Sequence, residues 1–163
     1  MDRIKKSVLI TGCSTGLGRE TAIRLSRAGY RVAATARKPE TLSDIPAELK
    51  LQLDVTSNES VAGAVAAAVR NFGRIDVLIN NAGFGVNSVV EEIPENTLKM
   101  MYNVNVHGVI RMIKSVAPLM RENMSGLIIN IGSIVGRSSI PVNGLYSSTK
   151  YAVEALRRRV KTS

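Results

Sequence analysis

Tyr146 and Lys150 stand four positions apart, as Tyr-x-x-x-Lys. On a helix that spacing puts both side chains on one face. A phenol ordinarily titrates near pH ~10, and a nearby ammonium favours the phenolate. The pair therefore has the makings of a general acid or base that works closer to neutral pH. A second chemistry is carried by Thr11-Gly12-Cys13-Ser14-Thr15-Gly16-Leu17-Gly18, a Gly-x-x-x-Gly-x-Gly loop. Gly12 permits a sharp turn, Gly16 lets the backbone approach a pyrophosphate, and Gly18 lets a following helix pack closely on a sheet. Such a helix start offers free N–H groups and a positive dipole end to phosphate. No Lys-Ser/Thr closes the loop, so it is not an ATP-binding P-loop. Both features have plainer readings, since turns use glycine freely and tyrosine and lysine often share a helix face.

The elements that must hold these residues alternate between strand-like and helix-like runs. Residues 7–11 form a short apolar strand ending in the glycines, and 17–28 a helix stopped by Gly29. Second and third strands follow at 31–36 and 49–55. Thr56 and Glu59 make a Thr-x-x-Glu capping box. Val61, Ala64, Val65, Ala68, Val69 and Phe72 then recur at helical spacing, giving a buried face, and Gly73 ends that helix. A fourth strand is read at 76–80, a long helix from 95 to about 123, a fifth strand at 127–131 and a final helix from about Tyr146. The order β-α-β-β-α-β-α-β-α, with near-continuous apolar strands, implies a mostly parallel sheet covered by helices on both faces. Right-handed crossovers reduce this to an α/β doubly wound, Rossmann-type fold, with its ligand site at the C-terminal strand edge. The glycine loop lies at the first strand-to-helix junction, which is that edge.

Together these motifs resemble those of the short-chain dehydrogenase/reductase family. The Thr-Gly-x-x-x-Gly-x-Gly loop, Asn80-Asn81-Ala82-Gly83 after the fourth strand, Asp54-Val55 after the third, and Tyr146-x-x-x-Lys150 occur in the family's order. The resemblance runs from Ser7 to about Leu156. It implies a carbonyl–alcohol oxidoreductase using NADP(H) or NAD(H), with Tyr146 as general acid/base and Lys150 tuning it and bonding the nicotinamide ribose. It also implies that Ser133, thirteen residues before Tyr146, orients the substrate oxygen and stabilises charge on it. Ser138, Ser139, Ser147 and Ser148 are rivals by type, and a serine after glycine is also an ordinary turn residue. Asn105 matches the family's helix asparagine, which sustains a kink and a water leading to the lysine; Asn103 fits the context less well. Asp54 would bond the adenine amino group with Val55 beside it, and Asn81, Ala82 and Gly83 would border the adenosine. Gly12, Ser14, Thr15, Gly16, Leu17 and Gly18 would cradle the phosphates. Many NADP-preferring relatives carry a basic residue where Thr15 stands.

The choice between cofactors turns on Ala34-Thr35-Ala36-Arg37-Lys38. Nicotinamide enzymes that use NAD usually place a carboxylate after the second strand, for the ribose 2′-OH. None is present here, and Arg37 is placed to pair with a 2′-phosphate. The expectation is therefore NADP(H), with Arg37 and Lys38 as exposed loop cations the plainer alternative.

Composition bounds the rest. The chain has 163 residues, 45% hydrophobic and 21% charged, and reads as one soluble domain. Its longest apolar runs are too short to span a bilayer, and no signal-peptide pattern opens it. One cysteine, Cys13, is given no redox role, and one histidine, His107, lacks the partners of a metal site. A cytoplasmic location is expected. Family members continue past the Tyr146 helix with two more strands and a substrate-covering loop. This chain is therefore expected to be C-terminally shortened, leaving the fifth strand an open edge and the substrate region incomplete. Two alternatives follow: a catalytically impaired nucleotide-binding module, or a basic nucleic-acid-binding protein that uses Arg157, Arg158, Arg159 and Lys161. The second draws on the net charge of +9, but a helix end favours cations without it. The expected partner is a small carbonyl or alcohol substrate. Pairing of copies through the Asn105 and Tyr146 helices is a further expectation.

Overall fold

The structure, a computed structural model, describes residues 5–156. The Arg157–Lys161 cluster lies outside them. Five strands form one parallel sheet: β1 (Ser7–Ile10), β2 (Arg31–Ala36), β3 (Leu49–Gln52), β4 (Val77–Asn80) and β5 (Leu127–Asn130). Their order is β3-β2-β1-β4-β5. The chain thus winds outward from β1 in one direction, crosses back and winds outward in the other. The crevice between β1 and β4 is the switch point where doubly wound sheets take ligands. In register, Ile10 lies opposite both Ala34 and Ile79, and Asn80 opposite Asn130.

Alternation along the strands divides the core between two faces. Leu9, Ala33 and Leu78 face one way, against α2 (Asn58–Phe72) through Val61, Ala64, Val65, Ala68 and Phe72, and against α4 (Gly108–Glu122) through Met112, Val116 and Met120. Val8, Ile10, Val32, Ala34 and Ile79 face the other way, against Ala22 of α1 (Gly16–Arg27) and Leu42 and Ile45 of the next connection. Burying each large side chain contributes about 1.5–3 kcal/mol. The outer strands β3 and β5 alternate between half-buried and exposed positions, unlike buried β1.

Several local expectations change. α2 begins one residue later than the capping box requires. Its N-cap is Ser57, whose Oγ accepts from Ser60 N at 3.1 Å. Thr56 Oγ1 instead donates to Asp54 Oδ1 at 2.7 Å, because the aspartate just before it is the better acceptor. The long helix read at 95–123 is broken in two: α3 (Glu95–Tyr102), a π-helical turn (Asn103–His107) and α4. The last helix, α5 (Gly144–Ala155), starts two residues before Tyr146. Among the described residues, no helix is long and apolar enough to cross a membrane.

Candidate active site

The glycine loop and the segment after β4 are fastened together at the switch point. Thr11, 1% exposed, is the fastener. Its Oγ1 accepts from Asn81 N at 3.0 Å and Ala82 N at 2.9 Å. In return, Asn81 Nδ2 donates to Thr11 O and Gly12 O, both at 2.9 Å. Thr11 opens the sequence motif, which by itself gives this residue no role of its own. Gly12 has φ +73°, and a Cβ on it would lie 2.8 Å from Ala82 Cα, so only glycine fits. A Cβ on Gly18 would collide with the Asn81 amide and the Gly12 carbonyl.

Gly16, by contrast, has φ +60° and open space where a Cβ would point. Thr15, the N-cap of α1, makes no side-chain bond to the helix, and Ser14, Thr15 and Leu17 are not buried. The first N–H groups of α1 are thus presented beside an open cradle, the arrangement that receives phosphate. This cradle and the clasped Asn81-Ala82-Gly83 segment fit a dinucleotide. Cys13 faces inward, where burial pushes its thiol up to about 11 against the backbone hydrogen bond at Thr35. The thiol is therefore protonated at neutral pH and makes a poor nucleophile.

Asp54 and Val55 follow β3. Burial opposes ionisation of Asp54, yet its carboxyl lies below the ordinary range. Hydrogen bonds from Thr56 N and Oγ1, with the charges of Arg37 and Arg111, outweigh burial. Both bonds go to Oδ1. Arg37 and Lys38 are exposed just beyond β2, with no carboxylate between Ala34 and Lys38. Nearby, Arg19 of α1 is paired with Asp44 and donates to Thr41 O at 3.3 Å, tying that connection to the glycine-loop helix.

Tyr146 and Lys150 share one face of α5. Lys150 Nζ lies 5.6 Å from the tyrosine ring centroid and donates to Ile131 O at 2.8 Å. Lys150 is 6% exposed, and burial lowers its pKa from the ordinary lysine value. Ser133 follows Ile131 by two residues, caps a short 3-10 turn (Ile134–Gly136), and accepts from Val135 N at 3.4 Å. That turn packs on α5: a Cβ on Gly136 would lie 2.9 Å from Lys150 O. Ser133, Tyr146 and Lys150 are thus carried by two segments that touch at the lysine.

Asn105 lies in the π turn, 1% exposed. Its Oδ1 accepts from Phe84 N at 3.0 Å, and its Nδ2 donates to Phe84 O at 2.8 Å and Thr149 Oγ1 at 3.1 Å. It therefore joins the segment after β4 to α5. A groove of about 450 Å³ between α2 and α4, lined by Val61, His107, Ile110, Arg111 and Lys114, contains none of these site residues. His107 is exposed rather than packed inside. Among the described residues, no group of three His, Cys, Asp or Glu stands together to hold a metal.

The sequence profile of the family described as short chain dehydrogenase matches residues 6–162. A 3-ketodihydrosphingosine reductase of Bacteroides thetaiotaomicron is 46% identical over 147 residues, covering 90% of this chain and 54% of the relative. The chain thus spans about half the length of that curated relative. A short-chain dehydrogenase from Streptomyces avermitilis superposes with a TM-score of 0.89 at 38% identity, covering 96% of this chain and 59% of that one. ElxO, solved with NADP bound, superposes with a TM-score of 0.85 at 36% identity, over 93% of this chain and 65% of that one.

Proposed function

The chain belongs to the short chain dehydrogenase family, and from that premise we propose that it interconverts a carbonyl and an alcohol with NADP(H). One observation carries the proposal. The Tyr146–Lys150 face of α5 stands at the sheet edge where the glycine loop and Asn81-Ala82-Gly83 are bonded into one cradle. The nicotinamide, when bound, supplies or accepts the hydride.

Tyr146 delivers a proton to the oxygen during reduction and removes one during oxidation. Ser133 donates a hydrogen bond to that oxygen and stabilises its developing charge; to do so its hydroxyl keeps its weak Val135 contact as acceptor only. Lys150, fixed by Ile131 O, holds its ammonium beside the tyrosine ring and is placed to bond the nicotinamide ribose. Asn105 holds the Phe84 backbone and α5 in fixed relation. Asp54 keeps Oδ2 for an amino group, because both Thr56 bonds go to Oδ1.

The preference for NADP(H) rests on Arg37 and on the missing carboxylate after β2. A guanidinium binds phosphate through paired hydrogen bonds. The likeness to ElxO with NADP bound supports the same choice.

The test is Tyr146→Phe. Turnover of a carbonyl panel falls by about 10²-fold or more, while NADPH affinity is unchanged. Turnover near the unmutated rate would remove Tyr146 from the chemistry.

A further inference from the structure

We propose that Gly85 is a positioning residue for Tyr146, a bare stretch of backbone on which the tyrosine ring is seated. The inference rests on the reading of Tyr146 as the proton carrier.

Glycine is often kept for a left-handed backbone, but Gly85 is not among the positive-φ residues, which include Gly12, Gly16, Gly29 and Gly73. What Gly85 provides is space. A Cβ there would lie 3.0 Å from Tyr146 Cδ2, 3.1 Å from Cγ and 3.4 Å from Cε2. Carbon atoms pack best at about 3.5–4.0 Å, so a methyl group would press on one side of the ring. By contrast, Cβ atoms on Gly63 or Gly73 would meet nothing within 4 Å.

The backbone cannot easily retreat. Asn105 pairs with both the N–H and the carbonyl of Phe84, immediately before Gly85. The same amide reaches Thr149, whose hydroxyl donates to Tyr146 O at 2.8 Å. Beyond Gly85, Ser88 N donates to Val142 O at 2.9 Å, and Asn143 Nδ2 donates to Asn87 Oδ1 at 2.8 Å. The segment is thus bonded to the π turn on one side and to the approach to α5 on the other. A methyl group on residue 85 must be accommodated by the ring, whose hydroxyl at the far end then shifts relative to Ser133 and Lys150. Reactive groups tolerate only about 0.5 Å of displacement.

The test uses the full chain with Gly85→Ala and the bulkier Gly85→Val. Gly85→Ala lowers kcat on the order of 10-fold, and Gly85→Val lowers it further. Substrate KM, NADPH affinity and the circular dichroism spectrum stay as in the parent. The solvent deuterium isotope effect on kcat rises, because proton transfer becomes slower relative to other steps. Val86→Ala, which shortens the next side chain without adding a group at position 85, leaves kcat unchanged. Gly85→Ala with the parent kcat and isotope effect overturns the inference. So does a loss of kcat matched by a raised KM and weakened NADPH affinity, since that marks general damage to the loop. Failure of the underlying reading shows separately: Tyr146→Phe then turns over normally whatever residue 85 does.

Discussion

At the scale of single residues, the candidate side chains could be proposed from the sequence because their types and spacings suit contacts with groups outside the chain. Tyr146, Lys150 and the glycines could be singled out without coordinates. Gly85, and the part Thr11 plays as a fastener, could not, because these rest on contacts between distant segments. Thr11→Val removes the acceptor shared by Asn81 N and Ala82 N. Leaving a buried donor unpaired costs about 1–3 kcal/mol, so the urea midpoint falls with an unchanged slope, and NADPH affinity falls with it. An unchanged midpoint would mean that the two amides find other partners. Arg37→Ala should weaken NADPH binding more than NADH binding. Equal losses, measured by parallel titration, would remove the 2′-phosphate contact. Burial disfavours the charged form of Lys150, so its folded-state pKa lies below its unfolded value. The unfolded chain therefore holds the extra proton in the intervening range. The cost of burying the charge is fully present below the folded pKa and disappears as pH rises through that range.

At the scale of elements, the sequence located the five strands and the helices α1, α2 and α5 but not the core-packed 3-10 turn Pro39–Leu42, and ends and breaks depended on local competition. Ser57 and Thr56 show why. Both are good caps by type, and what decides between them is that Asp54 captures Thr56. Ser57→Ala should therefore destabilise the protein by about 1 kcal/mol, read as a lower urea midpoint. A Thr56→Ala change should act instead on Asp54, raising its pKa toward the ordinary value. Asp54 is depressed in the native state, so it contributes stability above its unfolded pKa. That contribution is lost as pH falls through the lower folded pKa. Asp54→Asn should accordingly flatten the acid limb of stability against pH; an unchanged limb would show that other carboxylates set it. The π turn at Asn103–His107 was not legible from the sequence, because its five residues include no glycine or proline to mark a break. Its effect is to place Asn105 against Phe84.

For the molecule as a whole, alternation of strands and helices was sufficient to give a parallel doubly wound sheet, since right-handed crossovers leave few other topologies. The order β3-β2-β1-β4-β5 places the loops after β1 and β4 side by side. Motifs 70 residues apart in sequence, such as Thr11 and Asn81, therefore form one cradle. The likeness to longer relatives agrees with that architecture over 96% of this chain in the Streptomyces avermitilis case. We propose that this cradle binds a nicotinamide dinucleotide and that Arg37 makes it prefer the phosphorylated form. The most direct measurement is a fluorescence titration of the folded chain with NADPH and, in parallel, NADH. Saturable binding of both, tighter for NADPH, is the predicted result. No binding of either cofactor by a chain shown to be folded by circular dichroism would contradict it.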